Sequence, residues 1–318
     1  MPARIALDHC PLCARDAASA ETLYAGPPGG VGIRRCRGCG LVFATDFATA
    51  EELGADYGAR AERDVEVSAA ATAGGHDRPG IARKRARVAL YDRLSHGRIG
   101  RPHPGSRALD IGCNTGLLLD VLAGYGYATA GIERSPAAAQ AIAAGHRILR
   151  VDIEGADDLG ERFDLITLTH VLEHLRRPVA ALQWIGRHLA PGGLLVVEVP
   201  NFADVARPLW GLKYRALELG DHLSFFERAT LEEAIARAGL GLVELWSAPQ
   251  ASTLLFPSLL SGLDLGLAGL RRLRPRRAPA TAHDLGARAR GGGRIGRVVE
   301  PLLGALDRAD PWLEERYG

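Results

Sequence analysis

Four of the five cysteines lie near the start of the chain, in two C-x2-C pairs. The first pair is Cys10 and Cys13, and the second pair, 22 residues further on, is Cys36 and Cys39. A C-x2-C turn lets two thiolates face one point, and four thiolates complete a closed tetrahedral zinc site with no open position for water. The spacing therefore predicts a structural zinc site. The alternatives are unrelated thiols or two reversible disulfides, and a cytosolic setting disfavours disulfides.

A glycine-containing loop and two carboxylates form the second group of residues able to do chemistry. The loop, Asp110-Ile-Gly-Cys-Asn-Thr-Gly116, follows an apolar run and opens a predicted helix. Glycines there let the backbone approach a ligand closely, and a helix N-terminus offers N–H groups to polar ligand atoms. Glu133 ends the second predicted strand, where an acidic side chain accepts hydrogen bonds from ribose hydroxyls, and Asp152 ends the third. This combination predicts a nucleotide-type cofactor site.

Alternating apolar runs and helical patterns supply the elements that would position these side chains. The predicted strands are Ala108–Ile111, Ala128–Ile132, Ile148–Val151, Phe163–Leu168, Leu194–Val199 and Leu240–Trp246. The predicted helices are Gly116–Ala123, Pro136–Ala144, Val179–Leu189 and Thr230–Ala238, the last opened by Thr230-Leu-Glu-Glu233 as a capping box. This rhythm is typical of βαβ units on a mostly parallel sheet, and so predicts an α/β fold.

Composition divides the chain into four regions. Residues 1–45 form the predicted zinc ribbon, and residues 46–105 form a lead-in whose clearest helix is Ile81–Leu94. Residues 106–249 form the predicted cofactor-binding domain. Residues 250–318 form a Leu- and Arg-rich tail that contains a Gly-rich linker.

The ordered motifs of the chain resemble those of class I S-adenosylmethionine-dependent methyltransferases. They are the Asp110–Gly116 loop, Glu133, Asp152, the segment Phe163–His174 and the segment Leu189–Pro200, and the match covers roughly residues 85–247. The resemblance implies a Rossmann-like seven-stranded sheet flanked by helices, with S-adenosylmethionine as cofactor. A dinucleotide-dependent dehydrogenase is the rival interpretation, but its G-x-G-x-x-G fingerprint is missing from this loop.

The resemblance also gives the loop residues their roles at the methionine end of the cofactor. Gly112, Asn114 and Gly116 would shape the loop under the methionine moiety, and Asp110 would support its ammonium group. Asn114 stands where the family usually has its middle glycine. Because Asn tolerates a left-handed backbone, we expect cofactor binding to survive this departure.

The nucleoside end and the acceptor side are expected at the following strand ends. By the same resemblance, Glu133 would hold the ribose diol, and Asp152 and Ile153 would face the adenine. His170 would lie just past the fourth strand, near the cofactor and the acceptor entrance. His174, four residues further on, is interpreted as structural.

The segment His222-Leu-Ser-Phe-Phe226, followed by a capped helix, resembles a subgroup of bacterial methyltransferases with zinc-binding N-termini. That subgroup is often linked to sugar, polyketide or cell-envelope glycan modification. Within this resemblance His222 is a candidate general base, since imidazole titrates near neutrality and can take the proton of a sugar hydroxyl. The alternatives are that His222 only orients a loop, or that His170 is the base.

These interpretations lead to three hypotheses for the function. The first is methylation of a hydroxyl, or of a carbon, in a sugar, a lipid-linked glycan or a related small metabolite. The second is methylation of RNA, favoured by the basic run Arg83-Lys-Arg-Ala-Arg87 but opposed by the absence of an aromatic stacking platform. The third is a non-catalytic, zinc-stabilised binding module.

Charge and hydropathy limit the partners and the location. The formal net charge is only +2, from 39 basic and 37 acidic residues, which is weak for a nucleic-acid partner. Met1 is not followed by an apolar signal core, so we expect a cytoplasmic protein. The Leu-rich run and arginine cluster at 253–277 have two interpretations: packing on the domain, or peripheral contact with the inner face of a membrane through anionic headgroups.

Overall fold

The computed structural model describes residues 4–27, 30–48, 80–155, 158–204, 207 and 217–247. The predicted tail, including 253–277, lies outside the described residues. Within them, no helix has the length and apolar character needed to cross a membrane. The chain divides into two compact units. One comprises Met1–Asn201 with Glu218–Leu245, and the other comprises Phe202–Leu217 with Trp246–Gly318.

Little of the second unit is described, and its clearest contact joins Arg207 to Phe202. The Arg207 guanidinium lies 4.3 Å from the centre of the Phe202 ring, and its Nε donates to the Phe202 carbonyl oxygen at 2.7 Å.

The first unit begins with five short strands. They are β1 (Arg4–Ala6), β2 (Glu21–Tyr24), β3 (Ile33–Arg35), β4 (Val42–Ala44) and β5 (Asp46–Ala48). Strands β1 and β5 pair with each other, whereas β2, β3 and β4 form an antiparallel sheet. Each strand is too short to bury a core alone, which is why this part of the chain needs a further staple.

The rest of the first unit is an α/β domain around a parallel sheet. Its strands are β6 (Arg107–Ile111), β7 (Ala128–Ile132), β8 (Arg147–Leu149), β9 (Phe163–Thr169) and β10 (Leu189–Glu198), in the order β10-β9-β6-β7-β8. Its helices are α1 (Ile81–Leu94), α2 (Leu117–Tyr125), α3 (Ala138–Ala143), α4 (Pro178–His188) and α5 (Arg228–Arg237). All four strand pairings in this sheet are parallel. The predicted Rossmann-like class is confirmed, with five sheet strands among the described residues.

Alternating side chains of the central strands serve two cores. Leu109 and Ile166 join the core that contains Trp184 of α4, whereas Ala108 and Leu165 join the core that contains Val88 of α1. Because successive strand residues point to opposite faces, helices cover both faces of the sheet. The carboxyl ends of the five parallel strands meet at one edge, which is where the predicted cofactor residues stand.

Several local predictions differ from the structure. The third predicted strand ends at Leu149, so Asp152 lies three residues beyond it, and the fifth begins at Leu189 rather than Leu194. Leu240–Trp246 forms no strand, and Leu242 and Val243 are 48% and 51% exposed, because no neighbouring strand within the described residues pairs with this stretch. Helix α5 has Glu227, not Thr230, as its N-cap, and Thr230 is the third helical residue of a capping box. In the usual capping box a hydroxyl residue is the N-cap and an acidic residue is the third helical residue. Here the Glu227 carboxylate caps the helix, and the Thr230 hydroxyl accepts from the Glu227 N–H at 2.9 Å.

A strand from beyond the parallel sheet completes the N-terminal sheet. Strand β11 (Ser224–Phe225) pairs antiparallel with β4, so the sheet order is β11-β4-β3-β2. The Ala44 N–H donates to the Leu223 carbonyl at 2.9 Å, and Arg35 pairs with Glu227 at 2.8 Å. Cys10 and Phe43 share one buried cluster with Phe226 and Trp184. The predicted ribbon and the α/β domain therefore have a common core.

Candidate cofactor and metal sites

The four N-terminal cysteines converge as their spacing predicts. Their sulfur atoms all lie within 4.8 Å of one another, and the Cys10–Cys39 and Cys13–Cys36 pairs are each 3.5 Å apart. All four are free thiols. Sulfur ligands at about 2.3 Å from a tetrahedral zinc ion lie about 3.8 Å apart, so small side-chain rotations would bring the four sulfurs to the zinc geometry.

Backbone conformation explains why each C-x2-C turn closes. Ala14 and Gly40, the residues directly after the second cysteine of each pair, have positive φ values of 58° and 80°. The Gly38 N–H donates to Cys36 Sγ at 3.3 Å. The hydrogen bond between the Cys10 and Cys39 side chains raises the pKa of Cys10 and lowers the pKa of Cys39 to about 5. A stabilised thiolate is the form that binds metal.

The loop after β6 has the left-handed conformations that its sequence predicts. Gly112, Asn114 and Gly116 have φ values of 76°, 48° and 82°. A side chain at Gly112 would meet Val171 Cγ2 at 2.5 Å, and one at Gly116 would meet Ala141 Cβ at 2.8 Å. Both glycines are therefore required by their surroundings, while Asn114 adopts the left-handed backbone that Asn tolerates.

Glu133 is fixed against this loop by two backbone donors. Its Oε2 accepts from the Asn114 N–H at 2.9 Å, and its Oε1 accepts from the Ser135 N–H at 2.7 Å. A carboxylate has about four acceptor positions, so each oxygen keeps one for another donor such as a ribose hydroxyl. The two backbone hydrogen bonds fix the carboxylate and leave acceptor positions for a ligand.

Asp110 is buried near the end of β6, with 2% exposure. Its Oδ1 accepts from the Thr167 hydroxyl at 2.6 Å. Burial raises the pKa of Asp110 to about 6, although the Thr167 hydrogen bond acts in the opposite direction. A buried carboxylate with a raised pKa gains from a cationic partner, which an ammonium group would supply.

Asp152 and Ile153 occupy different environments. Asp152 is exposed, and its Oδ1 accepts from the Glu154 N–H at 3.0 Å. Ile153 is 6% exposed and belongs to the core that contains Trp184. The structure thus places the Asp152 side chain at the open edge of the sheet and the Ile153 side chain in the interior.

His170 directly follows β9 and lies between two carboxylates. It has a positive φ of 55°, its Nε2 lies 3.1 Å from Glu198 Oε1, and its Nδ1 lies 3.4 Å from Glu173 Oε1. Burial acts to lower the pKa of His170, but the two carboxylates outweigh it and raise the pKa to about 9. His170 is thus held in place by charge at the edge of the sheet.

Sequence reasoning missed the group around Glu198. This carboxylate ends β10, and both Arg87 and Tyr91 of α1 donate to it. Burial acts to raise the pKa of Glu198, but His170 and Arg87 hold it far below its usual range. The signal was present in the sequence, as a lone acidic residue at the end of an apolar strand. Arg87, interpreted from the sequence as part of a basic run, forms an ion pair with Glu198.

His222 is brought next to the segment that follows β9. Its side chain is 5% exposed, and its ring meets the His174 ring edge to face, with 4.7 Å between centroids. The Leu223 N–H donates to the Glu173 carbonyl at 2.8 Å, which joins the two segments. His170 and His222, the two candidate bases, therefore both border Glu173.

Comparison with known proteins agrees with this arrangement. A family model described as a methyltransferase domain matches residues 76–245. The ubiquinone biosynthesis O-methyltransferase of Azorhizobium caulinodans is 34% identical over 158 residues, which are 46% of this chain and 62% of that protein. Its counterpart from Parvibaculum lavamentivorans is 33% identical over 160 residues, with the same coverages of 46% and 62%. The chain spans about three fifths of the length of these curated relatives.

One solved structure shares a similar level of identity. An amino pentose methyltransferase from Micromonospora echinaspora, with S-adenosylmethionine bound, is 31% identical over 40% of this chain and 58% of that chain, at a TM-score of 0.33. The family model is the more extensive match, since it covers more than half of the 318 residues. With its glycine loop and its acidic strand ends at the edge of a parallel sheet, this chain belongs to the methyltransferase-domain family.

Proposed function

We propose that the protein transfers the methyl group of S-adenosylmethionine to a hydroxyl group of a sugar, a lipid-linked glycan or a related small metabolite. The observation that carries the proposal is the Glu133 carboxylate, fixed by the Asn114 N–H beside a loop with three left-handed residues. Family membership supports methyl transfer. The names of the curated relatives, which are O-methyltransferases, favour oxygen over carbon as the acceptor atom.

In this proposal the chain mainly binds and orients the two reactants. Glu133 would accept hydrogen bonds from the ribose diol, and Asp110 would pair with the ammonium group of the methionine moiety. The acceptor oxygen forms a bond to the methyl carbon as the carbon–sulfur bond breaks, and S-adenosylhomocysteine leaves. The hydroxyl proton passes to a base, for which His222 is the candidate, because the two carboxylates beside His170 keep that ring protonated at neutral pH. Orientation of an in-line displacement lowers the barrier by removing the entropic cost of encounter.

The four cysteines would hold a structural zinc ion in the proposed enzyme. Four thiolate ligands leave no open coordination position, so the ion would stabilise the fold and take no part in methyl transfer. Its influence on the reaction would be indirect, through β4 and its partner β11, which directly follows His222 and Leu223.

Cofactor binding is tested by calorimetric titration of the full chain with S-adenosylmethionine, S-adenosylhomocysteine and NAD. We expect binding of the first two only. Glu133→Gln should weaken that binding by roughly 10- to 100-fold, because it replaces an acceptor oxygen with a donor. Glu232→Gln, on the exposed side of α5, is the matched control and should bind normally. Unchanged binding by the Glu133 variant would contradict the assigned role.

The acceptor is tested with methyl-labelled cofactor and a panel of acceptors. The panel contains nucleotide-linked sugars, lipid-linked glycans, small phenols and RNA. Transfer to oxygen of a sugar-type or small-molecule acceptor is the expected result. Labelled RNA would instead support the RNA hypothesis, and transfer to carbon would correct the acceptor atom.

A further inference from the structure

Glu173 carries a buried carboxylate that nothing in the proposed reaction uses. The residue is 1% exposed, and neither carboxylate oxygen has a hydrogen-bond partner within the described residues. The closest charged group is the His170 ring, with Nδ1 at 3.4 Å from Oε1. Burying a carboxylate without hydrogen bonds is unfavourable. The His170 ring compensates only in part, because it lies closer to Glu198, at 3.1 Å, and no hydrogen bond reaches Glu173 Oε2 within the described residues.

Two imidazole rings stand beside this carboxylate. His174 and His222 each offer a ring nitrogen, and these atoms and a Glu173 oxygen all lie within 4.8 Å of one another. His174 Nδ1 lies 3.0 Å from the Asp221 carbonyl oxygen. Because a carbonyl can only accept, Nδ1 must carry the proton, which makes Nε2 the atom with the lone pair. A ligating histidine is commonly oriented in this way by a backbone carbonyl.

We infer that Glu173, His174 and His222 bind a divalent transition-metal ion, at a site separate from the four cysteines. Two imidazoles and one carboxylate are the donors of many zinc, iron and cobalt sites, whereas magnesium and calcium prefer oxygen donors alone. Ligand atoms at 2.0–2.2 Å from a tetrahedral ion lie about 3.4 Å apart, so small side-chain rotations complete the set.

The backbone around the three ligands is already in position. Glu173 and His174 belong to the 3₁₀ turn Leu172–His174, and the Leu223 N–H donates to the Glu173 carbonyl. The His222 N–H donates to the Glu218 carbonyl at 3.0 Å. Strand β11 then pairs with β4 of the ribbon sheet. Both ligand-bearing segments are thus fixed by backbone hydrogen bonds, which lowers the entropic cost of closing around an ion.

The site changes the role expected of His222. An ion with three protein ligands keeps a coordination position for water or for an acceptor hydroxyl, and bound oxygen loses its proton more readily. His222 would then act as a metal ligand rather than as a free base. Only this consequence rests on the proposed methyl transfer, because binding of the ion can be measured without any reaction.

The test is a cobalt titration of the full chain with its four-cysteine site first loaded with zinc. One additional Co²⁺ per chain should bind and give visible absorption without a sulfur-to-cobalt charge-transfer band. Glu173→Gln and His222→Asn should each weaken binding at least tenfold. His103→Gln changes an exposed histidine away from the cluster and should bind as the unaltered chain does.

Thermal unfolding separates a metal ligand from a merely structural residue. Co²⁺ should raise the unfolding temperature of the zinc-loaded chain but not that of the folded Glu173→Gln variant. No added cobalt in the unaltered chain, or equal binding by the Glu173 variant, would overturn the inference. A His222 variant that keeps its cobalt but loses turnover would restore the base role. Cofactor titration, measured separately, decides whether the proposed function itself has failed.

Discussion

The role proposed for Asp110 would link pH to cofactor binding. Its carboxyl is buried and its pKa is raised to about 6, so it is protonated in the cofactor-free fold below that pH. A cationic ammonium group binds the ionised form. We therefore expect the affinity for S-adenosylhomocysteine to fall as pH drops below 6, by up to about tenfold per pH unit. Calorimetry between pH 5 and 7 measures this, and a flat profile would argue against contact with the ammonium group.

The same carboxyl should reduce the stability of the cofactor-free protein at neutral pH. Because the pKa of Asp110 is raised above 3.8, the ordinary value of an aspartate side chain, the folded protein binds this proton more tightly than the unfolded chain does. Its contribution to stability is greatest below pH 4 and is lost as pH rises to about 6. Asp110→Asn, which can still accept from Thr167, should stabilise the protein at pH 7 by up to about 3 kcal/mol. Urea unfolding at pH 4 and pH 7 tests the sign, since the gain should vanish at the lower pH.

At this scale the sequence predicted residues better than their partners. Motif spacing was enough to place Asp110, Glu133 and the four cysteines, because parallel strand ends and C-x2-C turns have fixed geometry. It could not place Glu198 with Arg87, since that contact joins residues distant in the sequence. The contact between the His174 and His222 rings also joins distant segments, so local spacing could not predict it.

Helix α5 begins with a capping box whose Thr230 side chain packs in the interior. Thr230 is 3% exposed, and its hydroxyl accepts from the Glu227 N–H at 2.9 Å. Thr230→Val keeps the shape but removes the acceptor of the half-buried Glu227 N–H, so we expect a loss of about 1–2 kcal/mol in the free energy of unfolding. Glu232→Ala, which removes an exposed pair with Arg228, should cost less than about 0.5 kcal/mol. Equal losses in urea unfolding would contradict the capping role.

Elements with a strong local pattern were predicted well, and elements that need a distant partner were not. The helix predicted over Ile81–Leu94 has those bounds, and the strand predicted over Ala128–Ile132 matches β7. Strand β11 has only two residues and exists because β4 pairs with it. Leu240–Trp246 has the apolar composition of a strand and no pairing neighbour among the described residues. Composition predicts that a segment can be a strand, but pairing decides whether it is one.

At the scale of the whole molecule, the shared core predicts that loss of the proposed zinc ion would affect more than the ribbon. Cys10 and Cys36 belong to the same buried cluster as Trp184 and Ile185 of the α/β domain. Removing zinc with a chelator should therefore lower the main unfolding temperature by roughly 10 °C or more. Calorimetry should show one transition in the zinc-loaded chain.

The control for that experiment compares zinc release with the loss of tertiary structure during heating. Zinc release, followed with a coloured indicator, and loss of near-ultraviolet circular dichroism should have the same midpoint on heating. An early release of zinc, followed by a separate and unshifted transition of the α/β domain, would show that the two parts unfold independently.

The pairing of β4 with β11 also constrains how the protein is made. The ribbon is synthesised before the α/β domain and could bind the proposed zinc ion early, but its sheet stays open at the β4 edge until Phe225 has been synthesised. Closing so long a loop is slow, and an open strand edge can meanwhile pair with other chains. If the ribbon and the α/β domain were produced as separate chains, the β4 edge of one and the β11 edge of the other would stay unpaired until the two chains met.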